Sequence, residues 1–343
     1  MAFRTRQCCP LVGLEKREWF IGAEASSNQG KLNLERPFSR GTVTNWDHAE
    51  KIWHHTFYQV LHVAPDQHPL MMTDPPLSSS SYKEKVSQIM FETFNIPALY
   101  LANQGVLALY SCGKTTGMTI ESGEGMTYFV PIFEGCPLRQ SIMKLDIAGQ
   151  DLTLYLLQLL SESGYSFVSR GDKDYAQDLK EKCCYVALDF EKELAKAQSP
   201  SFKQTFQLPD GQEVQVGRER FLCPEALFKP GVLAPERSRL SIHMAASQSI
   251  SSCPRTLWKT LFRNILLAGG TGSCSGLCLR LKKEMNEVVS PYLSVKVSTC
   301  PYTVYASWIG GSILCSLSMF KDMWVTQEEY RDIGLSSISR RSL

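Results

Sequence analysis

Apolar positions recur along this chain with two periods, one helical and one extended. After Asn45-Trp46-Asp47 the residues Ile52, Trp53, Phe57, Val60 and Leu61 form a helical stripe, and Asn45 is placed to cap it. Lys83 to Phe94 predicts a second helix, with Val86, Ile89, Met90 and Phe94 on one side. Leu99 to Tyr110 is apolar and reads equally as helix or buried strand. Thr116 to Ile120 and Met126 to Ile132 read as strands joined by the turn Glu121-Ser122-Gly123-Glu124-Gly125. A helix-rich stretch follows from Asp146 to about Lys196, then a hairpin from Gln207 to Phe221 around Pro209-Asp210-Gly211. Asn264 to Leu267 leads into Ala268-Gly269-Gly270-Thr271-Gly272 and a helix through Glu287. A strand is expected near Val304 and a last helix from Trp308 toward Phe320, with short extended and turn-rich pieces before residue 36, including a strand at Glu18 to Gly22 and a turn at Ser26 to Gly30. Hairpins mixed with helices predict an α/β chain with a mixed sheet.

Composition narrows the classes without naming a function. The 343 residues are 43% hydrophobic, enough for two cores, and the formal net charge of +2 favours neither a nucleic-acid nor a membrane-surface binder. No run of about 18 apolar residues occurs, so no membrane span is expected. The 12 cysteines include the adjacent pairs Cys8-Cys9 and Cys183-Cys184 but no CxxC pair at zinc spacing, and the first residues lack an apolar signal core, so reduced thiols are expected. His48, His55 and His62 repeat every seventh residue, yet each such step on a helix advances about 10 Å. Three ligands to one zinc lie about 2 Å from it, so these histidines read as structural or solvated.

Several stretches resemble actin and fall in actin order over roughly residues 5–343. They are Gly41 to Asp47 with Glu50 to Tyr58, Gln88 to Asn95, Lys180 to Phe190, Leu208 to Gln212 with Arg220 to Phe228, and Ser307 to Leu314. The resemblance implies the bilobed actin-like ATPase fold: two ribonuclease-H-like lobes with mixed sheets and a nucleotide cleft. It assigns residues 1–36 to a small subdomain of lobe one and 37–111 with 306–343 to that lobe's main subdomain. In lobe two it assigns 112–147 with 238–305 to the main subdomain and 148–237 to the small one.

The resemblance also implies a site. Glu121, Gly123, Glu124 and Gly125 match one of two glycine hairpins whose amides cradle phosphates. Glu121 and Glu124 stand where the family carries aspartates around Mg through water, one methylene longer than that role asks. Gln104 matches the glutamine that orients the attacking water, Lys180 and Glu181 the ribose and base contacts, and Gly269, Gly270 and Thr271 the loop under the adenine. Against these, the expected histidine is Tyr128, the expected Met-Tyr is Ser273-Cys274, and the expected lysine is Val304. No Asp-x-Gly-x-Gly precedes Gly22, so the partner hairpin is expected to be missing, through a genuinely shortened protein or a start codon placed too late.

These features predict a structural or scaffolding protein of the cytoskeleton, cytoplasmic with a nuclear role left open, that binds actin or actin-binding proteins. The alternative is an ATP-binding protein that hydrolyses slowly, with ATP or ADP and Mg as cofactors. The groove that takes partner helices in the family matches Tyr110, Gly113, Thr115, Gly135, Leu314, Leu317 and Met323. Changes near Cys8 to Arg17 and Lys229 to Glu236 argue against self-polymerisation.

Overall fold

The computed structural model describes residues 2–5, 19–22, 24–25, 32–165, 172–207, 211, 213–233 and 240–335. The turn at Ser26 to Gly30 and the changed segment Cys8 to Arg17 lie outside the described residues. The chain divides into two compact units, Met1–Leu101 with Asp322–Ser342, and Ala102–Lys321.

The first unit opens with strands β1 (Ala2–Thr5), β2 (Trp19–Ile21) and β3 (Leu32–Glu35), which form an antiparallel sheet in the order β2-β1-β3. A short ribbon of β4 (Phe38–Ser39) and β5 (Thr42–Val43) precedes helix α1 (Trp46–His55). The Asn45 side chain accepts from the His48 amide, which is the expected cap. The apolar stripe does not continue as expected. The chain widens into a π-turn over Thr56–Val60, and His62 takes φ of 54°, so Phe57 is buried while Val60 and Leu61 face solvent.

Strand β6 (Leu70–Asp74), helix α2 (Ser80–Gln88) and strand β7 (Ala98–Asn103) complete this part. The sheet runs Val325–Thr326, β7, β6. Every residue of β7 is buried, so its apolar run is that of a strand covered on both faces. Val86, Ile89, Met90, Phe91 and Phe94 pack with Leu99, Leu101 and Val325 as this unit's main core.

The ambiguity over Leu99 to Tyr110 resolves as both elements in turn. Asn103 ends β7 and caps helix α3 (Gln104–Tyr110), its carboxamide oxygen accepting from the Gly105 and Val106 amides.

The second unit is built on a mixed six-stranded sheet. Its strands are β8 (Gly117–Ser122), β9 (Thr127–Phe133), β10 (Cys136–Pro137), β11 (Met143–Leu145), β14 (Ile265–Ala268) and β15 (Val297–Thr299). The order is β10-β9-β8-β14-β15, with β11 also on β9. The β8–β9 hairpin is antiparallel, whereas β8, β14 and β15 run parallel. Strand alternation assigns the two faces. Met118, Ile120, Phe129, Ile265 and Leu267 pack with Ile242, Ala245, Leu261 and Leu281. Val130, Ile132, Leu266 and Ala268 pack with Val106, Leu109 and Ala306.

The helices are α4 (Gly149–Glu162), α5 (Asp172–Cys183), α6 (Phe190–Lys196), α7 (Glu219–Glu225), α8 (Ile242–Ser251), α9 (Arg255–Arg263), α10 (Leu277–Val288) and α11 (Ala306–Cys315). Two expectations shift. The hairpin is β12 (Gln204–Gln207) with β13 (Glu213–Val216), and Phe221 belongs to α7, where it is fully buried. No strand forms at Val304, which sits in a 3-10 turn over Thr303–Tyr305. No helix among the described residues is long and apolar enough to cross a membrane.

Helix α11 lies against α3 so closely that a Cβ on Gly310 would sit 1.7 Å from the Leu107 carbonyl oxygen. Only glycine permits that approach.

Candidate functional site

The β8–β9 turn, the start of α4 and the loop after β14 meet at one junction. Its centre is the Gly123 carbonyl, which accepts from the Gly149 amide (3.0 Å) and the Thr271 hydroxyl (2.7 Å). The Glu124 carbonyl accepts from the Gln150 amide at 2.8 Å. Ser122 and Thr127 pair their hydroxyls across the hairpin, and Thr127 Oγ1 donates to the Ile147 carbonyl. Gly269 has φ of 86°, and a Cβ there would lie 2.3 Å from the Ser122 carbonyl oxygen, so glycine is required where these loops touch.

Around this junction opens a cavity of about 450 Å³, within the range of roughly 300–1,000 Å³ usual for small-molecule sites. Gly123, Glu124, Lys180, Glu181, Gly270 and Thr271 line it. Gly123 and Gly270 have nothing within 4 Å of a hypothetical Cβ, so backbone is open to the cavity at both. The structure thus brings together most of the residues expected at a nucleotide site.

Their chemistry is partly spent inside the protein. Lys180 Nζ donates to the Gly149 carbonyl (2.8 Å) and to Thr153 Oγ1 (2.9 Å), which ties α5 to the start of α4. Glu181 is exposed and accepts from Gln177 Nε2. The first amides of α4, which would otherwise suit an anion, are taken by the hairpin carbonyls.

Glu121 and Gln104 lie apart from the cavity lining. Ser307 on α11 places its hydroxyl 3.0 Å from the Gln104 carbonyl and 3.3 Å from Glu121 Oε1. Glu121 is half-buried as a residue, and its Oε2 is buried with no hydrogen-bond partner among the described residues. Burial pushes this carboxyl up from its ordinary 4.5 to about 7, opposed by Ser307 if that hydroxyl donates to it. Ser307 has one proton to share between the nearer Gln104 carbonyl and Glu121 Oε1, so it offsets only part of the effect of burial. Of the two carboxyl groups expected around a hydrated cation, Glu124 is exposed on the cavity lining and Glu121 lies off it. Among the described residues, no group of three or more His, Cys, Asp or Glu side chains is placed to hold a metal ion.

Tyr128 is buried in the sheet core with Val130, Leu266 and Ala268. Ser273, Cys274 and Val304 line the cavity, as their positions in the chain led one to expect. What sequence reasoning missed is that Cys184 and Cys223 join Cys274 on its wall. The adjacent Cys183-Cys184 pair was the one available signal. Burial raises the Cys274 thiol to about 11 despite Lys180, so it stays protonated at neutral pH.

Four of the expected groove residues meet. The Thr115 carbonyl accepts from the Gly135 amide at 2.8 Å, and Gly113 turns the chain at φ of 66°. Gly135 has φ of 82°, and a Cβ there would collide with the Tyr110 hydroxyl at 2.4 Å. Leu314 is half-buried and Leu317 is exposed, both at the end of α11 and in the loop beyond it. Met323 closes the short 3-10 turn Ser318–Met323 and belongs to the first unit.

The mixed α/β sheet, the glycine hairpin and the cavity are joined by a match along almost the whole sequence. A family model described as Actin matches residues 5–343, and the chain belongs to the actin family.

Proposed function

We propose that this chain is a structural or scaffolding protein of the cytoskeleton that does not turn over ATP. The observation that carries the reading is Glu121, which bonds Ser307, has its second carboxyl oxygen buried, and lies off the cavity lining where Glu124 stands. A hydrated divalent cation needs ionised, outward-facing oxygens at near-ideal geometry. Tyr128, a phenol held in the core, offers no base near neutral pH. On this reading the chain keeps the family's two-lobed arrangement with the subdomain boundaries expected above. Partners are actin-family chains or actin-binding proteins, received at the groove around Tyr110, Gly113, Thr115 and Gly135. It resides in the cytoplasm with the cytoskeleton, and immunolocalisation distinguishes this from a nuclear residence.

The cavity favours a second reading in its binding half. Open backbone at Gly270, beside Lys180 and Glu181, suits the base and ribose end of ATP or ADP. The two readings separate in one assay on purified protein. Nucleotide at about ten times its Kd raises stability by about 1.4 kcal/mol, readable as a melting shift. The structural reading expects no phosphate release above background, with or without Mg, whatever the melting shift. Clear hydrolysis abolished by Gln104→Ala would overturn it in favour of the slow ATPase.

A further inference from the structure

A second cavity, of about 380 Å³, lies at the opposite end of β14 from the nucleotide-like pocket. Its lining is Lys259, Thr260, Arg263, Asn264 and Lys296. Asn264 immediately precedes β14 and Lys296 immediately precedes β15, so the cavity sits where these parallel strands begin. Gly269 to Thr271 follow β14, about 13 Å of extended chain away.

The lining has no carboxylate and no aromatic or aliphatic side chain. Neither α9 nor residues 289–304 carry an acidic residue. Lys259, Arg263 and Lys296 are exposed and make no ion pair among the described residues. A cation in the last turn of a helix is ordinarily accounted for by the helix dipole, which suffices for Arg263. It does not account for Lys296, which comes from another element and adds its charge to the same space. Lys259 and Arg263 are four apart on α9 and so share a face about 6 Å apart.

The backbone beneath is rigid. The Lys296 amide donates to the Phe262 carbonyl and the Ile265 amide to the Lys296 carbonyl. The Asn264 carbonyl accepts from the Met118 amide, and its side chain donates to the Thr260 carbonyl. Three unpaired cations on a fixed frame repel one another unless an anion joins them. The arginine fork and two ammonium groups suit several phosphates rather than one. No ring lines the cavity to stack on a nucleobase.

We infer that this basic cavity binds a multiply phosphorylated polyol, either free or as the headgroup of a membrane lipid. Its distance from the glycine hairpin makes it independent of whether the first pocket takes nucleotide.

The test titrates the full chain with inositol hexakisphosphate, and separately with phosphatidylcholine vesicles with and without a phosphoinositide bisphosphate. Arg263→Ala combined with Lys296→Ala removes two charged contacts at exposed positions and should weaken binding on the order of 100-fold. Added salt should weaken it as well. Lys144→Ala, at an exposed lysine of β11 that lines neither cavity, should leave it unchanged. Binding of hexakisphosphate alone assigns a free ligand, and binding of both probes assigns the lipid. The inference fails if neither probe binds, if the double variant binds as well as the parent, or if hexaglutamate binds more tightly than hexakisphosphate.

Discussion

Burial inclines Glu121 to keep its proton to higher pH than an exposed glutamate does, and this sets a sign for stability. Its folded pKa, about 7, lies above the ordinary 4.5 because burial disfavours the charge. Between those values the folded state binds a proton that the unfolded state has lost. Stability from this group is therefore full below about 4.5, falls as pH rises to about 7, and is level above. At about 1.4 kcal/mol per pH unit the loss is at most about 3 kcal/mol. Glu121→Gln keeps the shape and removes the titration. Urea unfolding of both proteins at pH 5 and pH 8 should show a difference between them that grows toward pH 8, in favour of the variant. An unchanged difference would mean that the carboxyl is ionised in the fold. Sequence could show Glu121 at the turn of a hairpin, but not that Ser307, 186 residues on, would meet its oxygen. Lys180 was expected at the cavity only through the resemblance to actin, and its bonds to Gly149 and Thr153 join positions too far apart in the chain to be read from it.

Elements were legible where a capping residue or turn chemistry fixed them, and less so where packing did. Asn45 announced the start of α1, and the glycine turn announced the β8–β9 hairpin. Asn103 carried the same signal for the change from β7 to α3, within a run that hydrophobicity alone left ambiguous. The stripe through Val60 and Leu61 failed because a π-turn changes the residue count per turn and so rotates the face. The contact of α11 with α3 depends on Gly310, which the sequence presents only as one of two adjacent glycines. Gly310→Ala should cost about 3 kcal/mol or more, since backbone rather than a flexible side chain stands in the way. Denaturant unfolding should show the loss in the midpoint with an unchanged slope. Helix α10 is fixed to α7 differently, by Arg280 in a two-pronged pair with Glu225 at 3.1 Å on each side. Both side chains are buried, so Glu225→Ala removes two charge-assisted hydrogen bonds, leaves the guanidinium only Glu284 and the Ala187 carbonyl, and should cost about 1.5–3 kcal/mol. A loss below about 1 kcal/mol would mean that Glu284 and the Ala187 carbonyl, which also bond Arg280, suffice.

At the scale of the molecule, each unit carries a core of its own, and that fixes how the chain should unfold. In the first, Leu99 is fully buried among Met90, Phe91, Ile96 and Val325. In the second, Leu266 is equally buried among Val106, Val130 and Ala268. Two-state behaviour is the habit of single small domains, and a chain with two cores has no reason to share one transition. Hydrogen exchange read by mass spectrometry along a urea series follows each unit separately. Leu99→Ala should lower the midpoint of residues 32–101 and Leu266→Ala that of residues 102–321, each by about 2–5 kcal/mol of its own unit's stability. The cavity lined by Gly123, Lys180 and Gly270 belongs wholly to the second unit. A nucleotide held there should therefore raise the second transition and leave the first in place, because a ligand stabilises only the structure whose unfolding releases it. Equal shifts of both transitions by either substitution would mean that the units unfold as one.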